Sequence, residues 1–289
     1  MSRARIVAIW WVACLLWSAG WLFLKIGLAD LPPITFAALR LALAFVVLSA
    51  VVTARDEWRT LHRRDVPVIA ISGLLLLGVN YALTFWGAQY LPSALTSVLQ
   101  ATSPVFGFLV GVTTGAERFS LARGLALPLG VVGVALVSRG QFAGGSPAGW
   151  GSAAVIGGAA CAAVAYAIVK RRTTHVAPTV MVTSQTLCAM VPLMIAGVAL
   201  DGNPLQHSWT PRAIMALLYL AIASSVVAFW LNYWLLKRMS ATSVLSMALV
   251  QPLIAAVLGA IVLGERLGLL AAAGGVCILI SAAIILQRD

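Results

Sequence analysis

Ten continuous apolar stretches, each close to twenty residues long, constrain this chain more than any other feature: about 6–29, 33–54, 66–88, 92–113, 120–138, 147–169, 177–200, 213–236, 241–263 and 268–287. Twenty helical residues rising about 1.5 Å each span the roughly 30 Å hydrocarbon layer of a bilayer. The runs are unbroken rather than alternating, so they read as α-helices and not as barrel strands. A helix also satisfies its own backbone groups in lipid. With 62% hydrophobic and 9% charged residues among 289, the chain carries more apolar surface than a water-soluble fold of this length can bury. The first run follows Arg3 and Arg5 but holds Trp10, Trp11, Trp17 and Trp21, and is too long and bulky for a cleaved leader.

The cations give an orientation. With the N-terminus in the cytoplasm, fourteen of the nineteen Lys and Arg residues fall on the cytoplasmic side: Arg3 and Arg5, four arginines over 55–64, Arg118 and Arg123, the 170–172 cluster, Lys237 and Arg238, and Arg288. Arg139, Arg212 and Arg266 fall on the other, while Lys25 and Arg40 lie inside spans. This asymmetry predicts both termini to be cytoplasmic. The net charge of +11 is then topological, and no nucleic-acid partner is expected. Cys14, Cys161, Cys188 and Cys277 all lie within apolar runs, as packing residues do, and suggest neither disulfides nor a metal cluster. The segment 55–65 is amphipathic and suits cytoplasmic headgroups.

The chain repeats itself. A shift of 148 residues aligns Trp86 with Trp234, Pro104 with Pro252, Gly111 with Gly259, and Glu117-Arg118 with Glu265-Arg266. A shift of 145 aligns Lys25 with Lys170 and Pro33 with Pro178. The expected architecture is therefore an all-α integral membrane protein of ten helices, in two five-helix repeats over 1–139 and 147–289 that form one membrane domain. Five is odd, so the second repeat enters from the opposite side. Inverted repeats give two conformations of comparable energy around a site near the midplane, as in secondary transporters.

"LLWSAGWLFLKIG" (15–27), "FAALRLALAFVVL" (36–48) and the two helices running from Pro to Gly-Glu-Arg or Gly-x-Glu-Arg resemble the drug/metabolite transporter superfamily, in particular its EamA-type ten-helix exporters. The resemblance covers essentially the whole chain, although Gln185 stands where a second Arg40 would fall. It implies a bacterial inner-membrane exporter of small metabolites, a group that includes YddG-like exporters of aromatic amino acids.

Candidate pathway residues follow from their chemistry. In the fourth span Thr96, Gln100, Ser103, Gly107 and Gly111 form a polar-then-small stripe that lipid would penalise, with Gly107, Gly111 and Gly115 permitting close backbone approach. Pro104 and Pro252 are expected hinges that free carbonyls one turn upstream, and Gln251, beside Pro252, is a candidate substrate-binding residue. Trp17 and Trp21 lie deep in the first span, and Tyr166 takes the repeat position of Trp21. Asn80, Tyr81 and Thr84, with Trp230, Asn232 and Tyr233, complete an aromatic and amide lining. Lys25 and Arg40 are the two charges within spans; they suit either a substrate carboxylate or, respectively, snorkelling and carbonyl capping. Glu117 and Glu265 are expected to begin the fifth and tenth helices, at the positive end of each dipole.

The acidic residues and the three histidines map to loops or span ends, which leaves no obvious proton carrier at mid-membrane and favours facilitated export by alternating access. Ion-coupled efflux of drugs or other metabolites, and a small-solute channel, stand as alternatives. No HExxH pair and no GxxxxGK[ST] loop occurs, so neither an enzyme nor an ATP-driven pump is expected, and no cofactor is implied. The expected partners are a small-molecule substrate and membrane lipid; the oligomeric state stays open.

Overall fold

A computed structural model describes residues 3–115, 121–137, 146–172, 175–236, 238, 247–266 and 268–286, and all regular structure among them is helical. The first two helices are α1 (Arg3–Gly27) and α2 (Pro33–Ala54). The third, α3 (66–88), passes from Val66–Gly73 through wide π turns at Leu74–Val79 into Asn80–Ala88. The fourth, α4, is broken into Ser93–Gln100 and Ser103–Thr113. Then follow α5 (Leu121–Val137), α6 (Pro147–Arg172) and α7 (Pro178–Asp201). α8 (211–236) again has π turns, Tyr219–Val227, between two α segments, and α9 (Met247–Leu263) and α10 (Leu269–Leu286) close the chain. Seven of these spans are long and apolar enough to cross a membrane, and three shorter apolar helices, Gly124–Leu136, Met247–Leu263 and Leu269–Ile284, fill the remaining places. All ten expected spans are thus present.

Helix starts are written in the sequence. α2, α7, α8 and the second segment of α4 each place Pro in the first turn, where its missing N–H costs nothing. Thr210 caps α8 by accepting from the Ala213 amide at 3.2 Å.

Packing is reciprocal between the halves. α1 lies on α8 and α9 as α6 lies on α3 and α4; α2 touches α8 as α7 touches α3; and α2–α7, α4–α9 and α5–α10 pair across the middle. This is the pattern a two-fold axis in the membrane plane produces between inverted repeats. Backbones close up where glycines meet: a Cβ on Gly87 of α3 would lie 2.5 Å from the Gly151 carbonyl of α6. Val131, Ile195, Ile261 and Leu269 are exposed at the perimeter, as lipid-facing side chains are.

The π turns explain why two shifts were needed to align the repeats. The segments preceding them begin at 66 and 211, a difference of 145, while the segments following begin at 80 and 228, a difference of 148. The π stretch has six residues in α3 and nine in α8, so the three-residue slip is absorbed there.

Four cross-half clasps alternate between the two ends of the bundle, as ten successive spans require. On the face where α1 begins, Asp65 meets His175 at 2.9 Å and the Thr179 hydroxyl donates to Glu57. On the opposite face Asp30 accepts from Thr210 and from the Arg212 fork at 2.5–2.6 Å, and the Thr35 amide donates to Asp201 at 2.7 Å. Adding 145 to 30 and 65 gives 175 and 210, so the Asp65–His175 and Asp30–Thr210 clasps are images of one another.

Candidate functional site

Two polar clusters lie between the apolar helices, one joining the two halves and one within the first half. The first is centred on Arg40. α2 carries its guanidinium into the bundle, where it is buried; Nε donates to Ser225 Oγ at 2.9 Å and Nη2 to Ser224 Oγ at 3.3 Å. Its carbon lies 4.7 Å from the centre of the Tyr81 ring and 5.9 Å from that of Phe85, both on α3. The cation's partners among the described residues are therefore hydroxyls and ring faces. The same serine anchors α1: Trp17 Nε1 donates to the Ser224 carbonyl at 3.1 Å, and the Trp17 ring meets Phe229 edge-on. One turn on, the Trp21 indole N–H is shielded from solvent without a hydrogen-bond partner among the described residues.

The second cluster joins α3 to α4. Gln100 Nε2 donates to Asn80 Oδ1 at 2.9 Å and to Thr84 Oγ1 at 2.5 Å, and Asn80 Nδ2 returns to the Leu76 carbonyl. Gly158 of α6 covers it so closely that an added Cβ would lie 2.7 Å from Asn80 Oδ1.

Several predicted residues have defined structural work. Lys25 Nζ donates to the Ala88 and Gln89 carbonyls at 3.1 and 3.0 Å, capping the end of α3. Ser103 Oγ donates to the Gln100 carbonyl at 2.9 Å, the acceptor that Pro104, lacking an N–H, leaves free. The α4 break therefore uses that carbonyl internally. Pro252, by contrast, lies inside α9 and is buried, with Gln251 half-buried beside it. Tyr166 and Trp230 are exposed beyond a third of their surface. Trp230 lines a cavity of about 250 Å³ with Arg55, Glu57, Pro178, Thr179, Trp234 and Arg238, at the face where α1 begins. Asn232 is buried, and the Tyr233 side chain lies outside the described residues.

Three sequence expectations change. Glu265 does not begin the tenth helix: its carboxylate accepts from the Ser93 amide at 2.9 and 3.0 Å and from its hydroxyl at 2.6 Å, capping α4, whose preceding Pro92 has no side chain able to do so. Glu117 lies outside the described residues. Gly107 and Gly115 have no neighbour within 4 Å of a built Cβ among the described residues; Gly115 instead ends its helix at φ 66°. Ser224, Ser225, Ser72 and Gln185, whose Nε2 donates to Ser72 Oγ at 2.9 Å, were not read as site residues. A signal existed for one of them: at the 145 shift Gln185 falls on Arg40.

An apolar ten-helix bundle with reciprocal halves and polar side chains turned inward defines a multi-pass membrane transporter. The chain belongs to the EamA-like transporter family, whose model matches residues 5–139 and again 149–287. It is 24% identical over 255 residues to the uncharacterized transporter YoaV of Bacillus subtilis, covering 88% of this chain and 87% of that one. It is 27% identical over 257 residues to the uncharacterized inner membrane transporter YedA of Escherichia coli K12, covering 88% and 81%. A relative named "Probable amino-acid metabolite efflux pump", also from Escherichia coli K12, is 25% identical over 274 residues, covering 91% and 88%. A solved crystal structure superposes with a TM-score of 0.66 over 98% of this chain and 96% of that one, at 20% identity, a likeness of fold.

Proposed function

We propose that this transporter exports amino acids, aromatic and hydrophobic ones foremost, by alternating access of the halves 1–139 and 147–289, without proton coupling. The observation that carries this reading is Arg40: a buried guanidinium neutralised by no carboxylate among its described partners, held by Ser224 and Ser225 of the other half. Such a group favours a substrate carboxylate, and the Tyr81, Phe85, Trp17 and Trp21 rings nearby suit an apolar side chain. The relative named as an amino-acid metabolite efflux pump points the same way. Facilitation is favoured because the described carboxylates and imidazoles all sit in loops or at helix ends. The cation asymmetry supports a bacterial inner-membrane orientation with both termini cytoplasmic, and the printed name of YedA agrees on the membrane.

The test is counterflow in proteoliposomes with a panel of labelled amino acids. We expect saturable exchange of phenylalanine, tryptophan or leucine, unchanged by an imposed pH gradient or potential. Absence of exchange for the whole panel overturns the substrate reading, and concentrative uptake driven by protons overturns the facilitator. Reporter fusions at residues 140 and 205 should locate to the periplasm.

A further inference from the structure

We propose that His62, Asp65 and His175 form a binding site for a divalent transition metal of the zinc class, bridging the two halves of the transporter on the face where α1 begins. His62 and Asp65 belong to the connection between α2 and α3, and His175 to that between α6 and α7. Their three ligand atoms lie within 4.8 Å of one another. Asp65 Oδ2 is the shared apex, 2.9 Å from His175 Nε2 and 3.5 Å from His62 Nδ1. Zinc bonds to imidazole and carboxylate of about 2.0–2.2 Å set the edge of a tetrahedron at about 3.3–3.6 Å, so the two edges to Asp65 are already close to it and the third, within 4.8 Å, closes by about 1.5 Å or less of side-chain movement.

The surroundings favour occupancy. The carboxylate is 5% exposed while the imidazoles are 54% and 39% exposed, which leaves a fourth position open to water. Arg63 and Arg64 point into solvent, where water screens their repulsion of a cation. The two segments are held in place before any ion arrives: the Ala177 amide donates to Thr60 Oγ1 at 3.1 Å, and Leu61, Val176 and Ala177 pack in one apolar cluster with Val52 and Ile69. Joining the halves does not require two imidazoles. The repeat-related clasp on the opposite face is made by Asp30 with Thr210 and Arg212, a hydroxyl and a guanidinium that zinc does not favour as ligands. Nitrogen and oxygen donors in this ratio suit zinc and its first-row neighbours rather than calcium or magnesium. In the bound form each ring presents its unprotonated nitrogen, Nδ1 of His62 and Nε2 of His175, and keeps its proton on the other.

The experiment uses the full-length protein, free of affinity tag, in detergent micelles. Zn²⁺ is titrated by calorimetry and Co²⁺ by visible absorption. We expect one equivalent of each, tetrahedral ligand-field bands for cobalt, and affinity weakened roughly tenfold or more in His62→Ala and in His175→Ala. His207→Ala, in the loop before α8, should bind as the unaltered chain does. His62 is exposed, so its variant should remain folded, which a single symmetric gel-filtration peak checks. The proposal is overturned if no stoichiometric binding occurs, or if binding survives both His62→Ala and His175→Ala unchanged.

Discussion

Arg40 is tied to the other half through two hydroxyls, and under the proposed carboxylate-binding role its removal should separate function from stability. A buried cation costs desolvation that its hydrogen bonds, each about 1.5–3 kcal/mol, only offset. Arg40→Ala should therefore leave the melting temperature within a few degrees while counterflow falls about tenfold or more; Arg40→Lys should not restore it, because one ammonium cannot reproduce the fork. Equal loss of melting temperature and counterflow would reduce Arg40 to a structural tie. Gly158→Ala places a methyl 2.7 Å from Asn80 Oδ1 and should cost about 1–3 kcal/mol, read as a lower melting temperature with Gln100 displaced. At this scale the sequence was partly legible. Asn80, Thr84 and Gln100 stood out as amides and hydroxyls in apolar runs and do meet. Ser224 and Ser225 escaped notice, since serine is common in membrane helices and its partner lies 184–185 residues away.

At the level of elements, the α4 break is capped by the hydroxyls of Thr102 and Ser103. Ser103→Ala leaves the Gln100 carbonyl without its partner and should destabilise the protein by about 1–3 kcal/mol, measured by thermal unfolding in micelles. Pro252 has no such break around it. Pro252→Ala restores a backbone donor within α9 and is expected to raise the melting temperature while slowing counterflow, if that helix bends during transport. Element boundaries were the most legible part of the sequence, because apolar length and first-turn prolines mark them directly. The π turns were not, since a wide turn is a hydrogen-bond register and leaves no residue type behind; only the change of shift from 145 to 148 betrayed them.

Over the whole molecule, the ends of the bundle are closed by unlike chemistry at like positions. Arg212 and Thr210 hold the Asp30 carboxyl down to about 2, from an ordinary value of 3.8. A carboxylate depressed in this way contributes its full stabilisation above the ordinary value of 3.8 and loses it progressively as the pH falls from there through about 2. The clasp should consequently be unaffected between neutral pH and about pH 5, and cysteine labelling of the 202–210 connection should be flat over that range; Asp30→Asn should raise labelling at every pH. The inverted arrangement of halves was legible because five spans per repeat dictate it. The cross-half partners were not, since reciprocal capping is invisible until both copies are folded together.

That capping has a consequence for biogenesis. The amides of Thr35 and Ser93 open the second and fourth helices, yet the carboxylates that receive them, Asp201 and Glu265, are synthesised 166 and 172 residues later. A nascent chain that has inserted only its first five helices holds those donors unmet at the membrane surface until the remainder emerges from the ribosome. Fragments 1–139 and 147–289 made separately should be degraded, and made together in one cell should rescue each other.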